Sequence, residues 1–397
     1  MVDSRNRRAF LRGIVASGVG ITLAGCTGGG NNTTTNEDGG GDGGDGGDGM
    51  TTTAGDGMTT TAGDGSSSQF EAVGDTVNVG MVYSTGGLGD NSFNDMAHRG
   101  IKTAKSKLGN VAYTNAEPGS PSEFKTFQRR FATSKSPDYD LIVCVGFSQK
   151  SALQKTAPNF PEQRFQVIDT VVDEPNVSSY VFKEHEGSFQ CGVLAGMLTN
   201  RKFSAGAGET KPDKDTIGFV GGKEIPLIKK FEAGYRFGAK QVNSDINIKS
   251  AYSGSWSDPG QGKSIANSMY DDGADIIYHA AGGTGVGVIK AAQQRGRYAI
   301  GVDARQSKTL PNYADVILGS MVKQVNEAVF RATKNVNEGE FAGGETRVLG
   351  LEKDGVKLMY GVELGDDIPQ EIKDKINSLS NKVIEGELSV PSKVKNV

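Results

Sequence analysis

Residues 77–94 read Val-Asn-Val-Gly-Met-Val-Tyr-Ser-Thr-Gly-Gly-Leu-Gly-Asp-Asn-Ser-Phe-Asn, and this stretch decides the fold class. Val77 to Tyr83 is a short apolar run of the kind that forms a strand buried on both faces. The glycines after it permit a tight backbone path, and Asp90, Asn91 and Ser92 are all good helix N-caps. Phe93, Ala97, Ile101, Ala104 and Leu108 then recur at helical spacing. A strand, a glycine-rich turn and an amphipathic helix follow one another within about 30 residues.

Working outward, the same unit repeats. The apolar runs predict strands near 110–114, 141–147, 165–169 and 179–182, and a second series near 216–220, 248–252, 275–280, 298–303 and 316–321. Helical patterns fill most gaps, as with Ile228, Phe231, Tyr235 and Ala239. Such alternation implies parallel sheets covered by helices on both faces, and its length suits two α/β domains better than one. Ligands of open α/β sheets bind beyond the carboxyl ends of the strands, so the residues just after each strand are the candidates for function.

Ahead of this region, residues 1–25 read as an export segment. Arg7-Arg8 precedes Ala9, Phe10 and Leu11 in a twin-arginine pattern, and Gly13 to Leu23 is an apolar run too short to span a bilayer. The run ends in Leu23-Ala24-Gly25-Cys26, which resembles a lipobox with Cys26 as the lipidated residue. Residues 27–70 are almost entirely Gly, Thr, Asp, Ser and Asn, with Asp-Gly-Met-Thr-Thr-Thr-Ala-Gly in tandem from Asp48 and Asp56. That composition offers too little apolar surface to fold and predicts a flexible tether, with its ends roughly 35–40 Å apart.

The net charge of the chain is −4, with a net +3 in residues 1–25, so the remainder carries −7. Seven carboxylates in 27–70, with no Lys or Arg, account for that excess, and 71–397 is close to neutral. No basic stripe is present, which excludes nucleic acid as the expected partner. Cys144 and Cys191 lie in apolar or small-residue runs that read as core, and their spacing alone neither establishes nor excludes a disulfide.

The strand ends collect aromatics and polar groups. Ser84, Asp90, Phe93 and Asn94 follow the first strand, Phe147 the third and Asp169 the fourth. Trp256, the single Trp of the chain, lies on a Gly/Ser loop, and Gly283, Asp303 and Lys323 lie at later strand ends. The glycine run 282–287 lacks the Lys-Ser/Thr ending of a phosphate loop, and no cofactor is expected. His98, His185 and His279 are scattered without metal-ligand spacing, and no Gly-x-Ser-x-Gly elbow exists. Aromatics, carboxylates and one Lys at strand ends of two domains fit binding of a polar, ring-containing small molecule rather than catalysis.

In sequence order, Gly86-Gly-Leu-Gly-Asp-Asn-Ser-Phe-Asn94, Val145-Gly-Phe147, Phe165-Gln-Val-Ile-Asp169, Gly221-Gly222, Gly234-Tyr-Arg-Phe-Gly-Ala239, Ala281-Gly-Gly-Thr-Gly-Val-Gly287 and Gly301-Val-Asp303 resemble the basic membrane protein family. These are substrate-binding lipoproteins of ABC transporters, and the resemblance covers essentially all of 75–397. It implies a type I periplasmic-binding-protein fold, with two doubly wound parallel-sheet lobes joined by a hinge of three crossings. The first lobe is then expected at 75–183 with 323–340, and the second at 184–322 with 341–397. The resemblance also implies a monomeric receptor, lipid-anchored on the outer face of the membrane, that passes a nucleoside to a permease driven by an ATPase. Phe93 and Trp256 would sandwich the base, Asn94 and Asp169 would meet its edge, and Asp303, Lys323 and the Gly283 backbone would meet the ribose.

Two departures from the family pattern stand out. Ser84 takes the place of a common Asp, which puts the purine in question. Ala304-Arg305-Gln306 replaces Ser-Asp-Gln, which would admit an anionic ligand. A signalling receptor, another cyclic polar solute and, last, a nucleoside-acting enzyme with Asp90 or Asp95 as base remain as alternative readings.

Overall fold

The strand–helix alternation is realised from Val77 onward in a computed structural model, which describes residues 74–397. The expected export segment, Cys26 and nearly all of the expected linker lie outside the described residues. In the first run, β1 (Val77–Val82), α1 (Phe93–Leu108), β2 (Val111–Ala116), α2 (Phe124–Thr133), β3 (Leu141–Cys144), α3 (Lys150–Thr156), β4 (Arg164–Ile168) and β5 (Val177–Phe182) alternate. The chain then passes through α4 (Glu184–Thr199) and a small hairpin, β6 (Ser204–Ala205) and β7 (Gly208–Glu209). The second run holds β8 (Thr216–Gly221), α5 (Pro226–Lys240), β9 (Asn247–Tyr252), α6 (Pro259–Asp271), β10 (Ile276–Ala280), α7 (Thr284–Arg295), β11 (Tyr298–Asp303), α8 (Gln306–Thr309) and β12 (Ile317–Lys323). Four elements close the chain: α9 (Val325–Asn337), β13 (Thr346–Leu349), β14 (Val356–Tyr360) and α10 (Gln370–Ile384).

The strands form two six-stranded sheets, ordered β13-β5-β4-β3-β1-β2 and β14-β12-β11-β10-β8-β9. Every pairing in them is parallel except β12 with β14. In each sheet the first strand of the run lies between the second and the third. Both sheets therefore switch direction beside their first strand, and crevices open there at the carboxyl ends. The chain passes between sheets after β5, after β12 and between β13 and β14, which gives the three-crossing hinge.

The sequence explains the close packing behind the second lobe. Helix α4 is buried nearly all round and lies against α5. A Cβ on Gly234 would sit 2.0 Å from the His185 carbonyl oxygen, and one on Gly238 2.1 Å from that of Phe189. The glycines of the 234–239 motif thus serve helix contact, not the cleft.

Two expected boundaries are corrected. The stretch 341–397 is not wholly in the second lobe, because β13 pairs parallel with β5 as the edge of the first sheet, covering a strand that is otherwise buried. Lys323 does not open the returning helix of the first lobe. It ends β12, paired with Val356 of β14 in the second sheet. Strand β3 also stops at Cys144, and Gly146, at φ +111°, turns the chain so that Phe147 begins a 3-10 turn. Cys144 and Cys191 are buried and unpaired, one on β3 and the other on α4. Among the described residues no helix is long and apolar enough to cross a membrane.

Candidate functional site

The first wall of the cleft is the turn between β1 and α1, and Asp90 organises it. Its carboxylate accepts from the backbone N–H groups of Ser92 (2.9 Å), Asn94 (2.9 Å) and Asp95 (3.2 Å) and from the Asn94 amide (3.1 Å). Asp95 accepts in turn from the N–H groups of Gly89 and Asn91, each at 2.8 Å. The Asn94 side-chain carbonyl accepts from Ser84 N–H at 3.0 Å. Burial pushes the Asp90 carboxyl up to about 6 in spite of these donors. Because Asp90 serves the first turn of α1, Ser92 at the N-cap position makes no side-chain capping bond. Its hydroxyl points across the cleft and donates to Asp303 Oδ2 at 2.5 Å.

The second wall is built on glycines. A Cβ on Gly222 would lie 2.2 Å from the Trp256 ring, so the Gly221-Gly222 strand end leaves a notch for the indole. The Trp256 carbonyl accepts from Thr284 N–H, tying its loop to the start of α7. Asp303, the last residue of β11, has φ +61°, and Asp169, just past β4, has φ +70°. Two non-glycine residues in the left-handed region beside one cavity are the kind of backbone strain that collects at functional sites.

At the hinge end, Lys323 is buried among charges and rings. Its Nζ donates to both Asp169 oxygens at 2.8 and 2.7 Å and lies 3.7 Å from Glu184, whose other oxygen is 3.3 Å from Lys230. The ammonium is also 4.8 Å from the Phe93 ring centre, 5.2 Å from Phe182 and 5.6 Å from Phe231. Burial alone would pull the lysine down. The carboxylates of Asp169, Glu184 and Asp303 outweigh it and hold Lys323 above its usual value. Burial raises Asp303, opposed by the Lys323 charge and the Ser92 bond. Among the described residues no cation forms an ion pair with Asp303.

These walls enclose about 640 Å³ of space, its open mouth included. Ser84, Asp90, Phe93, Asn94, Phe147 and Asp169 from the first lobe line it together with Trp256, Asp303 and Lys323. Gly283 does not: Gly282, at φ +56°, carries the backbone along the cavity, and Gly283 sits where the lobes meet, its Cβ position 3.8 Å from Asp90 Cα. Arg305 turns away, its guanidinium donating to the carbonyls of Tyr360 (2.9 Å) and Gly361 (3.4 Å). Sequence reasoning missed Ser92, hidden by its resemblance to an ordinary N-cap. It also missed Leu227, Ile228 and Phe231, whose helical spacing reads equally well as core. Among the described residues no group of three or more His, Cys, Asp or Glu could hold a metal ion.

Two doubly wound lobes, joined by a hinge and shut on a cavity of ring faces and buried charges, define a solute-binding protein of the periplasmic-binding-protein class. The chain belongs to the Bmp family, ABC transporter substrate-binding proteins that are PnrA-like, whose sequence model matches residues 77–394. It is an ABC transporter solute-binding protein, in a family of transport receptors rather than enzymes. A protein of Lactococcus lactis subsp. cremoris named as the ABC transporter nucleoside-binding protein BmpA is 33% identical over 333 residues, 79% of this chain and 88% of its own length. An uncharacterised lipoprotein of Pyrococcus abyssi is 35% identical over 292 residues, 70% of this chain and 68% of its own. A crystal structure of an ABC transporter solute-binding protein from Aeropyrum pernix K1 is 30% identical. It superposes with a TM-score of 0.68, covering 79% of this chain and 94% of that one.

Proposed function

We propose that this protein captures a nucleoside between its lobes and delivers it to the permease of an ABC importer, held at the outer face of the membrane by a lipid on Cys26. The observation that carries the reading is the cavity itself: Phe93 and Phe147 of one lobe and Trp256 of the other share it with Asp169, Asp303 and Lys323. In this reading Phe93 and Trp256 stack on the base, each contributing about 1 kcal/mol beyond burial. Asp303 accepts from the ribose hydroxyls, with Lys323 beside it. Asn94 and Asp90 act mainly through the loop they hold, because their side-chain oxygens are engaged there. The base edge then falls to Ser84, with Asp169 reaching it only through lone pairs that its bonds to Lys323 leave over. The nucleoside-binding relative supports the ligand class, and the lipoprotein relative supports the anchor. One chain supplies both walls, so the site needs no residue from a second copy.

Arg305 gives the anionic alternative no support, since its guanidinium is spent on carbonyls outside the cavity. The buried charges point the same way: the carboxylates of Asp169, Glu184 and Asp303 act together on Lys323, and Lys230 is paired with Glu184. A neutral solute is the better fit. Isothermal titration of ligand-free protein with adenosine, guanosine, inosine and uridine tests the ligand. Heat with at least one is expected, and none with any of the four would remove the nucleoside. For the anchor, Cys26→Ala is expected to move the protein from the membrane fraction to the soluble one.

A further inference from the structure

Helix α4 opens with Lys183-Glu184-His185-Glu186, a run whose composition suggests solvated charge, yet both glutamates are buried. They sit where the chain crosses between the lobes. Glu186 accepts from Leu351 N–H at 2.9 Å, and Lys183 pairs with Glu186 and Glu352 on that side. Glu184 turns the other way, toward Lys323 at the end of β12. Two glycines let it arrive there. A Cβ on Gly187 would lie 2.9 Å from the Met321 side chain, so the first turn of α4 comes down onto β12. The close approach of α5 at Gly234 sets Lys230, one helical turn earlier, on Glu184 Oε2. Asp169, Lys323, Glu184 and Lys230 thus form a chain of alternating charge that runs from the cavity to a partly exposed lysine.

The Glu184 Oε1 that faces Lys323 is buried without a hydrogen-bond partner. The cation 3.7 Å away is what compensates it. Burial pushes the Glu184 carboxyl up, and the charges of Lys323 and Lys230 oppose that rise. Lys323 depends on its carboxylates in the same way, since burial by itself favours the neutral amine. Its two nearest carboxylates are not equivalent. Asp169 lines the cavity, where a solute competes for its lone pairs, and Glu184 does not.

We propose that Glu184 is a positioning residue of the binding site, holding the Lys323 ammonium at the cavity with a carboxylate that the solute never touches. The groups that face Lys323 are Asp169 past β4, Asp303 on β11, Glu184 on α4 and the rings of Phe93, Phe182 and Phe231. Lys230 reaches it only through Glu184. His185, the next residue on α4, is pulled down to about 4 by burial and stays neutral above pH 7. Toward pH 10 the two lysines are the groups here that lose charge. The role of Glu184 toward Lys323 does not depend on which neutral solute the site holds, and only the ligand measurement below rests on the nucleoside reading.

The test is denaturant unfolding of ligand-free Glu184→Gln, which keeps the shape and removes the charge, beside wild type from pH 7.5 to 10. With one counter-charge gone, burial lowers Lys323 below its usual value, so that its ionisation opposes folding. Glu184→Gln is expected to be less stable than wild type at pH 7.5 and to recover most of the deficit by pH 10, as Lys323 becomes neutral. A packing defect alone leaves the deficit flat. The recovery is expected to vanish in a Lys323→Met background and to persist in a Lys230→Met background. Should Lys323→Met fail to fold, Lys323→Arg serves in its place, because an arginine stays charged throughout this range. A flat deficit, no deficit, or a recovery that follows Lys230 would overturn the proposal. Titrations with adenosine, guanosine, inosine and uridine give the ligand measurement. In Glu184→Gln the affinity of whichever binds is expected to fall by about tenfold per pH unit above the lowered Lys323 value, while wild type holds its affinity over the same range. Affinities that run parallel in the two proteins would overturn the positioning role. If none of the four gives heat with wild type, the nucleoside reading fails and the unfolding profiles still decide this one.

Discussion

Asp90 in the first wall and Asp303 in the second are both buried at turns after strands, and burial raises both carboxyls. Their surroundings differ. Asp90 accepts four hydrogen bonds, all from its own loop and helix start. Asp303, among the described residues, accepts one, from a serine of the opposite lobe, and the Lys323 charge acts on it without a direct ion pair. The first carboxylate spends its charge on holding a wall in shape. The second is left short of donors where it lines the cavity. A buried carboxylate on a binding cleft is thus no guide to function until its donors are counted.

Substitution should separate the two. In the proposed reading Asp303 accepts from the solute's hydroxyls, and hydrogen bonds to a charged group contribute about 1.5–3 kcal/mol each. Losing two in Asp303→Ala would weaken binding by more than about 100-fold. The lost carboxylate has no bonded cation but leaves the buried Ser92 hydroxyl without its acceptor, so stability should fall by about 1–2 kcal/mol, less than in Asp90→Ala. Titration calorimetry beside thermal denaturation reads both, and unchanged affinity would show that Asp303 does not face the solute's hydroxyls.

Asp90→Ala should give the reverse ranking. It strands three backbone N–H groups and an amide in a buried turn, at a cost of about 3 kcal/mol in stability. For a folded part of this size that is a fall in Tm of roughly 4–5 °C. Affinity should fall less than in Asp303→Ala, and only through a displaced Phe93. If the Tm holds while affinity collapses, Asp90 touches the ligand after all and the contrast between the walls is lost.

Asp90 and His279, both buried, carry opposite pH signs. Asp90, at about 6 in the folded protein against an ordinary 3.8, holds its proton more tightly when folded, so its ionisation opposes folding. Stability from this group rises as pH falls from 6 toward 4. His279, held at about 4 by burial against an ordinary 6.5, is neutral in the fold and charged when unfolded. Stability from it is lost as pH falls from 6.5 toward 4. Shifts of this size correspond to at most about 3 kcal/mol each. Asp275, raised to about 6, and His185, lowered to about 4, add background of both signs, so the difference from wild type is the quantity to read. In denaturant titrations at pH 7, 5.5 and 4, Asp90→Asn should lose ground to wild type on acidification, and His279→Gln should gain. Parallel profiles for wild type and Asp90→Asn would mean that the loop donors hold the carboxylate ionised.

How far the sequence foretold this site depends on how local each determinant is. Strand ends followed by Phe93, Phe147, Asp169, Trp256 and Asp303 were legible, because topology fixes where a strand end points. The distribution of roles among Asp90, Asn91 and Ser92 was not. All three are good N-caps, and the left-handed backbone at Asn91 decides that Asp90 caps and Ser92 crosses the cleft. A rotation by one residue moved the cavity backbone from Gly283 to Gly282. Strand β13 joined the first sheet through a pairing with residues more than 160 positions earlier, which no local pattern encodes. Arg305 looked like an anion receptor until the carbonyls of Tyr360 and Gly361 were in place around it.

Trp256 gives the smallest expected effect and the finest test of the second wall. The indole lies in the notch left by Gly222, so its position comes from the wall rather than from a ligand. Trp256→Phe keeps an aromatic face and loses part of the stacked area, while the notch stays partly empty. Aromatic pairs contribute about 0.5–1.5 kcal/mol beyond burial, and only a fraction of that depends on the second ring. Affinity should fall by roughly two- to fivefold, with little change in Tm. A loss above about 100-fold would need more than stacking can supply. The indole N–H would then be donating to the solute, and the second wall would be reading polar groups at both ends, through Trp256 as well as Asp303.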